Sequence, residues 1–326
     1  MTMHILDATQ TAQALPYAKL VPAIAQAARE LAGGQIRAPE RLVVPIDQAS
    51  VLLCMPALGP DISVTKLVTV HADNAQHHLP VIQGEVVVFD TASGRRLALL
   101  DGPTVTARRT AAVTLLGIAT LAPRKPASVL LIGTGAQAAA HVDALVEFFG
   151  VSQFWSAARE IGKAQQFCDA LRLRHPHCRA TPLTMATLAT GLPATDVVIA
   201  LTTSKIAVIP AHIAPDTLAV GVGAFKPDMV EFPAALLHSR QIVVDDLAGA
   251  RHEAGDLIQA GIDWSQVREL AGMLDQPPPT GAGSLPVFKT VGQAAWDLAA
   301  ARVALMSLAS LAPLQHPQSG GVPPAL

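Results

Sequence analysis

The spacing of apolar positions changes character along the 326-residue chain. From Tyr17 to Ala32, Leu20, Ile24, Ala27, Ala28 and Leu31 recur near helical spacing, and Gly33-Gly34 stops the run, which predicts an amphipathic helix. Pro22 is expected near its first turn, where a missing N–H is tolerated. Short β-like runs follow at 41–46, 51–55 and 62–70. Residues 85–90 and 95–100 flank Thr91-Ala-Ser-Gly94 and predict a hairpin in which Gly94 takes a positive φ. Residues 104–121 read as a long helix, with Thr104 at the N-cap and Pro123 just past its end.

After Pro126 the pattern becomes one of wholly apolar strands separated by helical stretches. Val129-Leu-Leu-Ile132 is followed by a helix over Ala136–Phe149 and a second strand around Phe154-Trp155. Further apolar runs recur at 197–201, 218–222 and Ile242–Val244. Such alternation predicts an open parallel sheet covered on both faces. An Ala/Leu-rich helix is expected at 293–311, then a frayed Pro/Gly-rich tail at 316–326. The fold class is α/β. A Rossmann-type doubly wound sheet at 118–292 follows an α+β domain at 1–117, to which the last segment, 293–326, returns its helix.

Charge and composition narrow the class. The chain carries 23 Lys+Arg against 25 Asp+Glu, a net charge of −2, and no basic stripe, which argues against nucleic acid or an anionic membrane as partner. Mean hydropathy is +0.39, but Asp297 and Arg302 interrupt 294–314, and Gly133, Gly135 and Gln137 interrupt 128–140. Neither stretch reads as a spanning helix. The start, Met-Thr-Met-His-Ile-Leu-Asp, has no basic signal-like region, and Cys54, Cys168 and Cys178 form no Cys-x-x-Cys motif. A soluble, cytoplasmic protein is expected, with low charge density consistent with buried subunit contacts.

Candidate chemistry begins at the turn after the first parallel strand. Gly133-Thr134-Gly135-Ala136-Gln137-Ala138 fits the Gly-x-Gly-x-x-Ala dinucleotide turn: Gly133 for the sharp bend, Gly135 for close approach to a pyrophosphate, Ala138 for helix–sheet contact. The second strand ends in Ser156-Ala-Ala-Arg159 with no carboxylate. A missing acid removes repulsion against a ribose 2′-phosphate and Arg159 adds attraction, with Ser156 as a second donor, so NADPH is favoured and NADH is the weaker alternative. Three cations stand in charge-poor surroundings, Arg41, Lys66 and Arg109. Lys66 within a β-like run needs an anionic partner or a wet cavity, and the three converging would suit a substrate carboxylate. Arg108 adjoins Arg109, and spacing leaves open which of the two points inward. His71, His77 and His78 show no metal-ligand spacing and read as a mobile polar loop; no metal is expected.

In order along the chain, Lys66-Leu-Val-Thr-Val, Val86-Val-Val-Phe-Asp…Gly94, Arg109-Thr-Ala-Ala, the glycine turn, Thr202-Thr-Ser, Glu253-Ala-Gly-Asp-Leu and Phe288-Lys-Thr-Val-Gly292 resemble the ornithine cyclodeaminase/mu-crystallin family from about residue 17 to about 311. The resemblance implies a homodimer whose dimerisation and substrate domain is built from both chain ends. It implies that Arg41, Lys66 and Arg109 contact a substrate carboxylate, with Arg109 also near the cofactor. Thr202, Thr203, Val222 and Gly223 would line the cofactor, and Glu253 would lie by the substrate. Cyclodeaminases place a catalytic Asp where this chain has Phe225, in Gly223-Ala-Phe-Lys-Pro-Asp228. That departure argues against ornithine cyclisation and toward reduction of cyclic imino acids, Δ1-pyrroline-2-carboxylate to L-proline and Δ1-piperideine-2-carboxylate to L-pipecolate. Lys66, or a water it holds, would donate the proton, with Glu253 the weaker candidate. The alternatives are an alanine dehydrogenase-like or cyclodeaminase-like enzyme, and a non-catalytic NADPH-dependent ligand binder in the manner of mu-crystallin.

Overall fold

The computed structural model describes residues 3–48, 50–276 and 283–311; the tail expected at 316–326 lies outside them. A six-stranded sheet comes from β1 (His4–Leu6), β2 (Leu42–Pro45), β3 (Ser50–Leu58), β4 (Ile62–His71), β5 (Ile82–Asp90) and β6 (Arg96–Asp101), in the order β1-β6-β5-β4-β3-β2. β1 runs parallel to β6, and the other pairs are antiparallel. Gly94 closes the β5–β6 hairpin at φ +69°. Strand alternation puts Ile62, Val64, Lys66 and Val68 on the buried face of β4. Lys66 therefore occupies a core position, opposite Met55 on β3 and Val86 on β5.

Helices α1 (Ala8–Ala14), α2 (Tyr17–Ala32) and α3 (Gly102–Leu121) accompany this sheet, and the C-terminal helix (Ala294–Leu311) packs on α1, α2, α3, β3 and β4. Pro22 sits at the sixth residue of α2, one turn later than expected. Thr104 does not cap α3. The helix starts two residues earlier, with Pro103 where its missing N–H is harmless, and the Asp101 carboxylate accepts the Thr104 N–H at 2.8 Å. The junction expected at 117/118 falls inside α3, where Gly117 passes the Phe288 ring so closely that a Cβ would lie 2.4 Å from it. Residues 72–77, expected as an open loop, wind into a short 3₁₀ turn.

The second sheet is wholly parallel. Its strands are β7 (Ser128–Ile132), β8 (Gln153–Ala158), β9 (Arg179–Thr184), β10 (Val197–Ala200), β11 (Leu218–Gly221), β12 (Ile242–Val244), β13 (Arg268–Glu269) and β14 (Val287–Lys289), in the order β13-β12-β14-β11-β10-β7-β8-β9. Helices α4 (Ala136–Phe149), α5 (Ile161–Arg174), α6 (Met185–Thr190), α7 (Ala234–Ser239), α8 (Leu247–Glu253) and α9 (Gly255–Ala260) lie between them. The run β9-β8-β7-β10-β11 has the Rossmann order, so strand order reverses between β7 and β10, the place where open α/β sheets bind ligands. The periodicity did not reveal β1, β9, β13 or β14, all short or mixed in polarity. No helix among the described residues is long and apolar enough to cross a membrane.

Candidate active site

Two cavities meet over the C-terminal ends of the parallel strands. The larger, about 700 Å³, runs along Gly133, Thr134 and Gly135, the end of β8 with Arg159, and the stretch from Leu201 to Ile206. Gly133 adopts φ +112°, and a side chain there would strike the Leu201 carbonyl at 2.7 Å. A Cβ on Gly135 would meet nothing within 4 Å, and Gly135 is the N-cap of α4, which has no side-chain cap. Open space over uncapped helix N–H groups fits a pyrophosphate. Ala136 opens α4 behind this turn. Ser156 is fully buried in β8 and does not line the cleft, because strand alternation turns it into the sheet's covering layer. The position expected to face the cofactor is therefore a core position.

The second cavity, about 280 Å³, lies between the sheets and shares Leu201, Thr202 and Thr203 with the first. Arg41, Lys66 and Arg109 all line it, with Gln137, Val222 and Gly223 on the Rossmann side and Leu53, Met55, Val68, Val70, Ile82 and Phe225 as an apolar wall. The convergence follows from packing. The inward position of Lys66 faces the C-terminal helix, whose Asp297 is wholly buried and lies 2.9 Å from the Lys66 ammonium. Arg109, on α3, donates its Nε–H to the same carboxylate at 3.1 Å. Gly292, at φ +82°, leaves room for that guanidinium; a Cβ would come within 2.9 Å of it. Arg108 points elsewhere: it donates to the Leu15 carbonyl and stacks on Tyr17, 4.1 Å from the ring centre.

Burial, reinforced by the neighbouring Arg109, brings the Lys66 ammonium down to about 7 against the pull of Asp297. Arg41 is held by one amino group, which donates to Glu253 at 2.7 Å and to the carbonyls of Gly292 and Val291 at 2.8 and 3.1 Å. Glu253 thus binds Arg41 and lines a smaller adjoining cavity of about 170 Å³ rather than the central one. Burial pushes its carboxyl up to about 7 despite Arg41 beside it.

Sequence reasoning missed Asp297 as a site residue; a lone carboxylate in an Ala/Leu helix was the available signal. It also missed a second buried group. Glu231 accepts the Thr202 N–H and hydroxyl at 2.7 and 3.1 Å and the Gly223 and Ala224 N–H groups at 2.8 and 3.1 Å. Lys289 lies beside it, 3.0 Å from Asp256.

A sequence profile of the ornithine cyclodeaminase/mu-crystallin family matches residues 1–309. The chain belongs to this family. It is 44% identical over 310 residues to the Δ1-pyrroline-2-carboxylate/Δ1-piperideine-2-carboxylate reductase of Azospirillum brasilense, covering 94% of this chain and 96% of that protein. It is 44% identical over 306 residues to Δ1-pyrroline-2-carboxylate reductase 1 of Burkholderia multivorans, covering 94% and 96%. Among solved structures, the Thermococcus litoralis Δ1-pyrroline-2-carboxylate reductase, in complex with NADH and L-proline, superposes with a TM-score of 0.85 at 23% identity, covering 94% of this chain and 98% of that one. This likeness confirms the α/β fold of the family.

Proposed function

We propose that the protein reduces cyclic imino acids with a nicotinamide cofactor, Δ1-pyrroline-2-carboxylate to L-proline and Δ1-piperideine-2-carboxylate to L-pipecolate, NADPH being preferred. The chain is an oxidoreductase acting on C=N bonds, and the names of its relatives at 44% identity support this reading. One observation carries it: a buried cup of three cations opens into the dinucleotide cleft at Thr202 and Thr203, with Phe225 where a cyclodeaminase has its acid.

Gly133, Thr134 and Gly135 would hold the pyrophosphate of a nicotinamide dinucleotide, which in its reduced form would supply a hydride to C2 of the imine. The protein does the rest. Arg41, Lys66 and Arg109 hold the carboxylate, which fixes the ring's orientation before reaction. Asp297 neutralises one of the buried cations and leaves the cup positive for its anionic ligand. Lys66, near neutral in its affinity for a proton, gives one to the ring nitrogen, so that the C=N bond gains a hydride at carbon and a proton at nitrogen. The apolar wall with Phe225 excludes water and suits the carbon edge of the ring. A homodimer in the cytoplasm completes the proposal; the exposed Leu42, Val43 and Val44 on edge strand β2 offer apolar surface for a subunit contact.

The test is steady-state oxidation of NADPH and NADH with the five- and six-membered imino acids, against pyruvate plus ammonium. Turnover of the cyclic imines with NADPH is expected. Faster turnover of pyruvate plus ammonium would replace the reading with an alanine dehydrogenase, and cofactor binding without turnover of either would leave a ligand binder.

A further inference from the structure

We propose that Glu231 is a positioning residue, the staple that sets the two loops forming the reactive end of the pocket, in deepening of the reductase reading and resting on it. The first loop, Leu201 to Thr203, follows β10; the second, Val222 to Phe225, follows β11. Both line the cavity where the dinucleotide cleft and the cationic cup join. Their backbones are in unusually close register: a Cβ on Gly223 would lie 2.1 Å from the Thr202 carbonyl oxygen. The side chain bridging them is Glu231, with no exposed surface. One carboxylate oxygen takes the Thr202 N–H and hydroxyl, and the other takes the N–H groups of Gly223 and Ala224, the two residues before Phe225.

Glu231 is itself fixed. Its own N–H and that of Phe232 go to one oxygen of Asp256, and the Lys289 ammonium lies 3.0 Å from Asp256 and 3.7 Å from Glu231. Four donors to one buried carboxylate, two from each loop, are more than helix or sheet pairing requires. An amide cannot replace them, because its NH₂ group would face N–H donors. Asp256 and Lys289 touch neither cavity. They act only by holding Glu231, and Glu231 acts only by placing Thr202, Thr203 and Phe225.

The experiment compares the wild type with E231Q. Folding is followed by thermal melting, kcat and KM are measured for both cyclic imines, and affinity is measured for ADP-ribose with or without the 2′-phosphate, matching whichever dinucleotide the wild type uses. ADP-ribose covers the glycine turn and lacks the nicotinamide. The expected result is a folded variant with kcat down tenfold or more, imine KM raised severalfold, and ADP-ribose affinity within twofold of wild type. If kcat and KM stay within twofold, or if ADP-ribose affinity falls in parallel with kcat, the proposal is overturned and Glu231 is a general support of the fold. Should E231Q fail to fold, E231D carries the same expectation, since it keeps the charge beside Lys289 but shortens the reach to the loops. If neither variant folds, the positioning role is likewise rejected. A wild type that turns over no imine sinks the reductase reading instead, a result separable from every outcome above.

Discussion

Two buried trios of charged side chains flank the pocket, and they carry opposite imbalances. In the cup, Lys66 and Arg109 share the single carboxylate of Asp297. Beneath the loops, Glu231 and Asp256 share the single ammonium of Lys289. Burying unmatched charge is costly, so each surplus needs compensation. The acidic trio finds it inside the protein, in backbone N–H groups and a hydroxyl pointing at both carboxylates. The two cations of the basic trio line an open cavity. Under the function proposed above, the carboxylate of an imino acid would supply the compensation. A sealed surplus builds structure, and an open one builds a binding site.

The most damaging way to break the basic trio is Lys66→Met. In the proposed mechanism it removes one arm of the carboxylate clamp together with the proton donor, and it leaves Asp297 with Arg109 alone. A loss of about 10²–10⁴-fold in kcat/KM is expected, the range for a positioned general acid, while NADPH affinity changes little. In the wild type, kcat/KM should fall as pH rises above about 7, because Lys66 is then deprotonated and has no proton to donate. That alkaline limb should vanish in the variant; its survival would assign the proton to another group.

Asp297→Asn against Lys289→Met tests the comparison itself. Each leaves like charges buried together, and each should cost about 3–5 kcal/mol of stability. Only the first leaves cations facing a cavity. L-Proline should therefore raise the melting temperature of Asp297→Asn more than that of the wild type, and should give Lys289→Met no such extra gain. Since Asp297 holds the Lys66 ammonium up, its loss should also move the alkaline limb of any residual activity below pH 7. Equal rescue of both variants by L-proline would show that the two surpluses are not different in kind.

How much of this was legible in the sequence depends on the range of each contact. The glycine turn needs only neighbouring residues and a following helix, so 133–138 and α4 could be read directly. Lys66 stood out because an ammonium in an alternating apolar strand requires a partner, but that partner lies 231 residues away on the C-terminal helix. Lys289 carries the same signal, beside Phe288 in an apolar setting, and its partner Asp256 comes from a separate helix, α9. Ser156 shows the limit of position along a strand as a signal, because one step of alternation moves a side chain from cleft to core. Thr202 and Gly223, which the family resemblance assigns to the cofactor, line the cavity, whereas the carboxylate joining them comes from the loop before α7 and has no local signature.

The smallest expected effect concerns a cation outside both trios. Arg159 follows β8 on the rim of the dinucleotide cleft, exposed to solvent. Two other cations line the same cleft, and each has an acidic partner: Lys163 with Glu160 at 3.3 Å and Lys205 with Asp228 at 2.8 Å. Arg159 has none among the described residues, which leaves its guanidinium for a 2′-phosphate. Because it is exposed, salt screens it and water competes for it, unlike Lys66. Arg159→Ala should weaken NADPH about five- to tenfold, on the order of 1 kcal/mol, and leave NADH within twofold. The proposed preference of the wild type for NADPH should shrink as salt is raised, while the variant's weaker preference stays flat. If NADPH affinity is unchanged in the variant, the 2′-phosphate is held by Lys163 or Lys205 after their acidic partners let go.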